Sequence, residues 1–166
     1  MEEDLIKAYL NTDYQVDGLE KPIKVGQINT ELDLFCIRSG FQNWAFITAW
    51  NPLSVPLSDK ENQIRNEMLK SDLSTHSIFS GRGQDAEGVW PPEESFFIPG
   101  INLSEAIELG RKYGQRAIVA GTVGLKASLI ETLDFEGNTT IQFWPKENGL
   151  SVEPGFGYAQ ARAPEK

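Results

Sequence analysis

Apolar residues fall in short clusters along the chain, and their spacing separates helices from strands. Leu5, Ile6, Tyr9 and Leu10 recur at helical spacing and predict a short helix from Glu2 to Leu10. Tyr14–Val16 and Ile23–Val25 read as two short strands, with the Asp17-Gly18 turn signal between them. Thr30 to Ser39 fits a helix stopped by Gly40, although its Leu-Phe-Cys-Ile run fits a strand as well. Asn43 to Trp50 is apolar nearly throughout and predicts a buried strand ended by Asn51-Pro52. Ser58 and Glu61 form a capping box, which opens a helix to about Leu73 that should bury Ile64, Met68, Leu69 and Leu73. A strand at Ser77–Ser80 is followed by a polar, glycine-rich stretch from Gly81 to Pro92 that reads as a long loop. Ser95–Ile98 is a strand, Ser104 caps a helix through Tyr113, and Arg116–Ala120 is a further strand. Beyond that, Thr139–Trp144 is the best strand of a Gly/Pro-punctuated remainder.

From Asn43 to Gly121 the order is strand, helix, strand, strand, helix, strand. That order predicts an α+β fold: a two-layer sandwich with a ferredoxin-like βαββαβ core, extra N-terminal elements and a C-terminal hairpin and tail. A mixed sheet of other topology, built from the same elements, is the rival. The expected organisation is one domain over residues 1–124, with 125–166 an extension packed on it. The 166 residues suit a single core.

Composition narrows the function classes. Fifteen Lys+Arg against 24 Asp+Glu give a net charge of −9, which argues against nucleic acid and anionic membranes as partners. A single cysteine, Cys36, leaves no internal disulfide, and the acidic start is unlike a signal peptide. These features point to a cytoplasmic protein. Residues 83–108 carry six acids and no base, whereas 109–130 carry four bases and no acid. Two such blocks either meet in space, bracketing a polar cleft, or simply match a helix dipole.

Several separated motifs carry a family resemblance. They are Ala45-Phe-Ile-Thr-Ala-Trp-Asn-Pro52, Glu61-Asn62, Pro92-Glu93-Glu94-Ser95 and Gly114-Gln115-Arg116-Ala117-Ile118. In this order, over roughly residues 9–121, the chain resembles the small proteins grouped as domain of unknown function 3293. The resemblance implies a small domain of bacteria or their phages, and it implies no activity.

The candidate site is therefore read from the residues. Thr48 and Asn51 end the strong strand with polar side chains at a sheet edge, where ligands commonly sit; Asn51 could equally start an Asx-turn. Asn62 and Arg65 share one face of the capped helix, where Arg65 could clasp an anion or pair with Glu61. Gly81-Arg82-Gly83 offers a small anion nest or a plain surface turn. Alternation sends Glu93 and Glu94 to opposite faces, and Glu94 is the candidate for the cleft and for a general base. Gln115 could touch the same ligand or cap a helix.

His76 is the one histidine, which excludes a two-histidine metal site, and Cys36 in its apolar stretch reads as an inert thiol. No cofactor or metal is expected. The leading expectation is a binding module for a small polar or anionic, nucleotide-like ligand, held by Thr48, Asn51, Asn62, Arg65, Arg82, Glu94 and Gln115. The alternatives are an interaction factor whose acidic surface meets a basic protein, and a carboxylate-dependent hydrolase or transferase.

Overall fold

The computed structural model describes residues 1–145. The chain is α+β, with helices α1 (Glu3–Asn11), α2 (Thr30–Arg38), α3 (Asp59–Asp72) and α4 (Leu103–Lys112). Its strands are β1 (Thr12–Val16), β2 (Asn43–Ile47), β3 (Phe79–Asp85), β4 (Glu93–Pro99), β5 (Ala117–Thr122), β6 (Ser128–Leu133) and β7 (Thr139–Trp144). They form one sheet in the order β1-β3-β4-β2-β5-β6-β7, with every neighbouring pair antiparallel.

The sheet curls back on itself. Ile23 bridges Tyr14 of β1, and Val25 two residues later bridges Ala127 just before β6, so one short segment links the edge strand β1 to the start of β6, the strand next to the other edge. Strand alternation then divides the core in two. Trp44, Phe46, Phe97, Val119 and Leu129 line the concave side with Tyr14, Leu32 and Cys36. Ala45, Ile47, Ile98, Ile118 and Ile130 face the other way, against Leu69 and Leu73 at the end of α3 and Ile107 of α4. The expected one-sided helix layer thus describes α3 and α4, while α2 closes the opposite face.

Local signals explain most element ends. Ser58 and Glu61 make the capping box at the start of α3. Asn29 caps α2 by accepting from Leu32 N at 3.1 Å, which resolves the helix–strand ambiguity there. Several expectations are corrected. Asn102, not Ser104, caps α4, accepting from Glu105 N at 2.8 Å. The expected loop from Gly81 to Pro92 is strand as far as Asp85. Gly81 is needed there because an added Cβ would lie 2.5 Å from Gln15 O and 2.8 Å from the Phe46 ring.

A further correction concerns α3: Leu69 and Leu73 are buried as expected, but the rest of its buried face is polar. Asn62, Asn66 and Leu69 are buried, whereas Ile64 and Met68 are 54% and 55% exposed. The strand expected at Ile23–Val25 is reduced to the two bridges, and β6 is an additional strand with every residue buried. β6 and β7 are joined to the same sheet, while the part of the expected extension beyond residue 145 lies outside the described residues.

Candidate functional site

The connection between β2 and α3 is the least regular backbone in the described chain. Asn51, Leu53 and Ser54 all have positive φ, at 44°, 55° and 60°. None is glycine, and the left-handed region costs such residues about 1–2 kcal/mol each. A conformation of that kind persists only where its surroundings over-determine it.

Here the surroundings are side-chain amides and guanidinium groups that bond the backbone of residues 48–57. Asn62 Oδ1 accepts from Asn51 N at 2.8 Å, while its Nδ2 donates to Asn51 Oδ1 at 2.9 Å and Leu57 O at 3.3 Å. Asn66 Oδ1 accepts from Ala49 N at 2.9 Å, and its Nδ2 donates to Glu94 O at 2.8 Å. Arg65 donates from Nε to Ala49 O at 2.8 Å and from Nη2 to Tyr113 O at 2.5 Å. Gln115 Nε2 donates to Trp50 O at 2.8 Å, and Thr48 Oγ1 donates to Glu94 O at 2.6 Å. This explains why Asn62 and Asn66 replace Ile64 and Met68 on the buried face of α3: its first turns must present donors and acceptors to an irregular backbone.

Five of the seven expected site residues, Thr48, Asn51, Asn62, Arg65 and Gln115, thus meet around one loop, with their polar groups turned to it. Arg65 holds two carbonyls. Glu94 meets this set through its backbone carbonyl alone; its exposed side chain and Arg82 lie on neighbouring register positions of β4 and β3. The Gly81-Arg82-Gly83 segment is extended strand.

The carboxyl that does reach the loop is Glu93. It lies opposite Gly83 on the concave side, half buried, and accepts from Asn51 Nδ2 at 2.8 Å. Burial raises its pKa above the ordinary carboxylate value, against the lowering effect of the Asn51 bond. Tyr9 of α1 packs half-buried against the same concave core. Its hydroxyl is pushed up to about 12, first by burial and then by the charge of Glu93, with a smaller push from Glu131 and an opposing pull from Arg116.

Glu131 alternates with Leu129 on the concave side and is 1% exposed. Its Oε1 pairs with the Met1 α-ammonium at 2.5 Å, and its buried Oε2 has no hydrogen-bond partner among the described residues. Arg116 is buried, donates to Leu53 O at 3.0 Å and stacks 4.3 Å from the Phe135 ring centre. Sequence reasoning missed Tyr9, Glu93 and Glu131 as a group. Their only linear signal is a glutamate at an inward position of β4 or β6, which needs the strand register to be seen.

The acidic and basic blocks contribute less. Lys112 pairs with Asp72, which lies outside the acidic block, at 2.7 Å, and Glu108 acts on Arg111 within α4 itself. Cys36 is buried and its thiol is pushed up to about 11, first by burial. His76 Nε2 lies 3.2 Å from Glu105 Oε2.

Residues 47–118 match the family model described as protein of unknown function (DUF3293). The resemblance to that family holds over those residues. No curated protein and no solved structure matches the chain. The DUF3293 match runs from the last residue of β2 to the second residue of β5. It therefore contains the irregular loop, Asn62, Arg65, Asn66, Glu93, Gln115 and Arg116, and leaves out Tyr9 and Glu131.

Proposed function

We propose that the chain is a binding module for a small polar ligand, and that its binding element is the loop 48–57 together with the polar end of the concave side. The observation that carries this reading is the run of left-handed Asn51, Leu53 and Ser54, held by buried amides from α3. Strain of this kind is characteristic of ligand sites, and it aims the Asn51 amide at Glu93. Arg65 is committed to carbonyls and Arg82 is remote, so the charge of the site comes from its carboxyls rather than from an anion-binding guanidinium.

A ferredoxin-like arrangement of residues 43–122 belongs to the same proposal. It is supported by β4 lying between β2 and β3, the strands that α3 connects, and by β2 lying between β4 and β5, the strands that α4 connects. Cytoplasmic placement is proposed from the charge and the single cysteine.

A thermal-shift panel of small polar ligands on the full chain tests the reading, repeated with Asn51→Ala. Ligand at ~100-fold its dissociation constant adds about 2.7 kcal/mol, a shift of several degrees. A shift that Asn51→Ala abolishes supports it. A panel without a shift, or a shift indifferent to Asn51→Ala, overturns it.

A protein-interaction role is favoured by one observation, the exposed pair Ile64 and Met68 along a shallow groove of about 570 Å³ on the outer side of α3. That role predicts a complex broken by Ile64→Lys and indifferent to Asn51→Ala.

A further inference from the structure

We propose that the outer face of α3 is the interface at which two copies of this chain pair, their α3 helices antiparallel about a two-fold axis near residue 65. The inference goes beyond the ligand reading of the loop, and it gives the exposed Ile64 and Met68 a partner.

Two features of α3 carry it. The first is an apolar stripe without cover. Lys60, Gln63, Ile64, Glu67, Met68 and Ser71 recur at i, i+3, i+4, i+7, i+8 and i+11 and line the groove of about 570 Å³, so they share one side of a helix 14 residues long. Ile64 and Met68, one turn apart on that side, are each more than half exposed. A flexible thioether beside a branched aliphatic group is a surface that adapts to another protein. The inner face is already committed, because Asn62 and Asn66 are buried against the loop.

The second feature is the order of charge along the stripe. Lys60 precedes Ile64 and Glu67 follows it, and neither forms an ion pair among the described residues. Seven residues apart, they sit about 10 Å from each other along the axis, too far to pair within one helix. A parallel copy would set Lys60 on Lys60 and Glu67 on Glu67. An antiparallel copy centred near residue 65 does the opposite: each Lys60 comes within about 5 Å, along the axis, of the partner's Glu67, and Ile64 packs beside the partner's Met68. The stripe is thus complementary to itself, which is what an isologous contact requires. By contrast, Leu34 of α2 borders a smaller groove of about 260 Å³, whose Glu31 is committed to the backbone N–H groups of Glu20 and Lys21 at 2.9 and 2.8 Å.

One helix face against its copy buries less than the ~1,200 Å² of a standard interface, so the dimer is weak, with a dissociation constant in the micromolar range or above. The net charge of −9 opposes association, but at ~0.15 M salt a screening length of ~8 Å confines that repulsion to near neighbours.

Sedimentation velocity on the full chain at that salt, from about 10 μM to about 1 mM protein, tests the assignment. The sedimentation coefficient of wild type should rise with concentration toward that of a dimer. Ile64→Lys, and Met68→Lys as a second disruption, should stay monomeric throughout with the melting temperature of wild type. Lys60→Glu should raise the dissociation constant about tenfold, since the two-fold axis counts it twice, and Lys60→Glu with Glu67→Lys should restore it. Leu34→Lys on α2 should associate as wild type does. A wild type monomeric across the range overturns the proposal without touching the ligand reading, which the thermal-shift panel tests. A dimer that survives both Ile64→Lys and Met68→Lys overturns it as well, and a charge exchange that does not restore association overturns the antiparallel placement.

Discussion

The buried polar face of α3 supplies the most discriminating stability experiment. Replacing Asn62 by alanine removes its bonds to Asn51 N, Asn51 Oδ1 and Leu57 O, at 2.8, 2.9 and 3.3 Å. Each lost bond is worth about 1 kcal/mol net and more where a buried partner is orphaned, so the total is about 3 kcal/mol. At ~2–4 °C per kcal/mol for a chain of this size, melting should fall by roughly 6–12 °C. Ile64→Ala, two residues along, removes a side chain that is 54% exposed and should cost about 0.5 kcal/mol. An apolar-pattern reading of the same helix makes Ile64 a core residue, for which truncation costs about 2–5 kcal/mol. Urea unfolding followed by tryptophan fluorescence measures both variants on one scale. If Ile64→Ala proves more destabilising than Asn62→Ala, the amide-lined contact between α3 and the loop is wrong.

Glu93→Gln should gain stability relative to wild type as pH rises from 4 to 7. A carboxyl whose pKa is raised on folding holds its proton more tightly in the native state, so wild type loses stability as pH climbs through and above the ordinary carboxylate range. Urea midpoints at the two pH values check the sign, and a difference that does not change with pH would contradict it. Gly121→Ala should destabilise by about 1–3 kcal/mol, because the new Cβ would lie 2.5 Å from Cζ2 of the buried Trp44 ring; the melting temperature reads this directly. Asn51→Gly and Asn51→Ala lose the same side-chain bonds but differ in tolerance of φ 44°, so the glycine variant should be the more stable by about 1 kcal/mol. Equal midpoints for the two would mean that the loop is not held in the left-handed region.

How much of this was legible in the sequence differs from element to element, for physical reasons. Strong local signals survived folding: the Ser58–Glu61 box opens α3, and the apolar Asn43–Ile47 run is the buried β2. β6 escaped because Ser128–Leu133 is buried on both faces and so shows no alternation, while its inward glutamate suggests a surface. The glycines of β3 suggested a mobile loop, yet Gly81 is fixed by the close approach of Gln15 and Phe46, which no local pattern reports. Of the residues named for the site, five meet around the loop, and the amides and proline at element ends among them are local signals. Their partners were not legible, since whether Arg65 meets a ligand or the Tyr113 carbonyl depends on contacts 48 residues apart in sequence.

The cost of the β2–α3 connection bears on what the loop is for. A passage from Ile47 to Asp59 does not require left-handed residues, because the chain between them is long enough to turn in allowed regions. The strain therefore serves something other than connectivity, and the contacts it creates are specific. Left-handed Asn51 brings its own amide between Asn62 and Glu93. These bonds carry the loop to the concave side at Glu93. A chain selected for stability alone would place apolar groups at Asn62 and Asn66 and relax the loop. Retaining buried amides there stabilises one loop geometry at the expense of hydrophobic burial, and that exchange is useful only if the geometry itself is used.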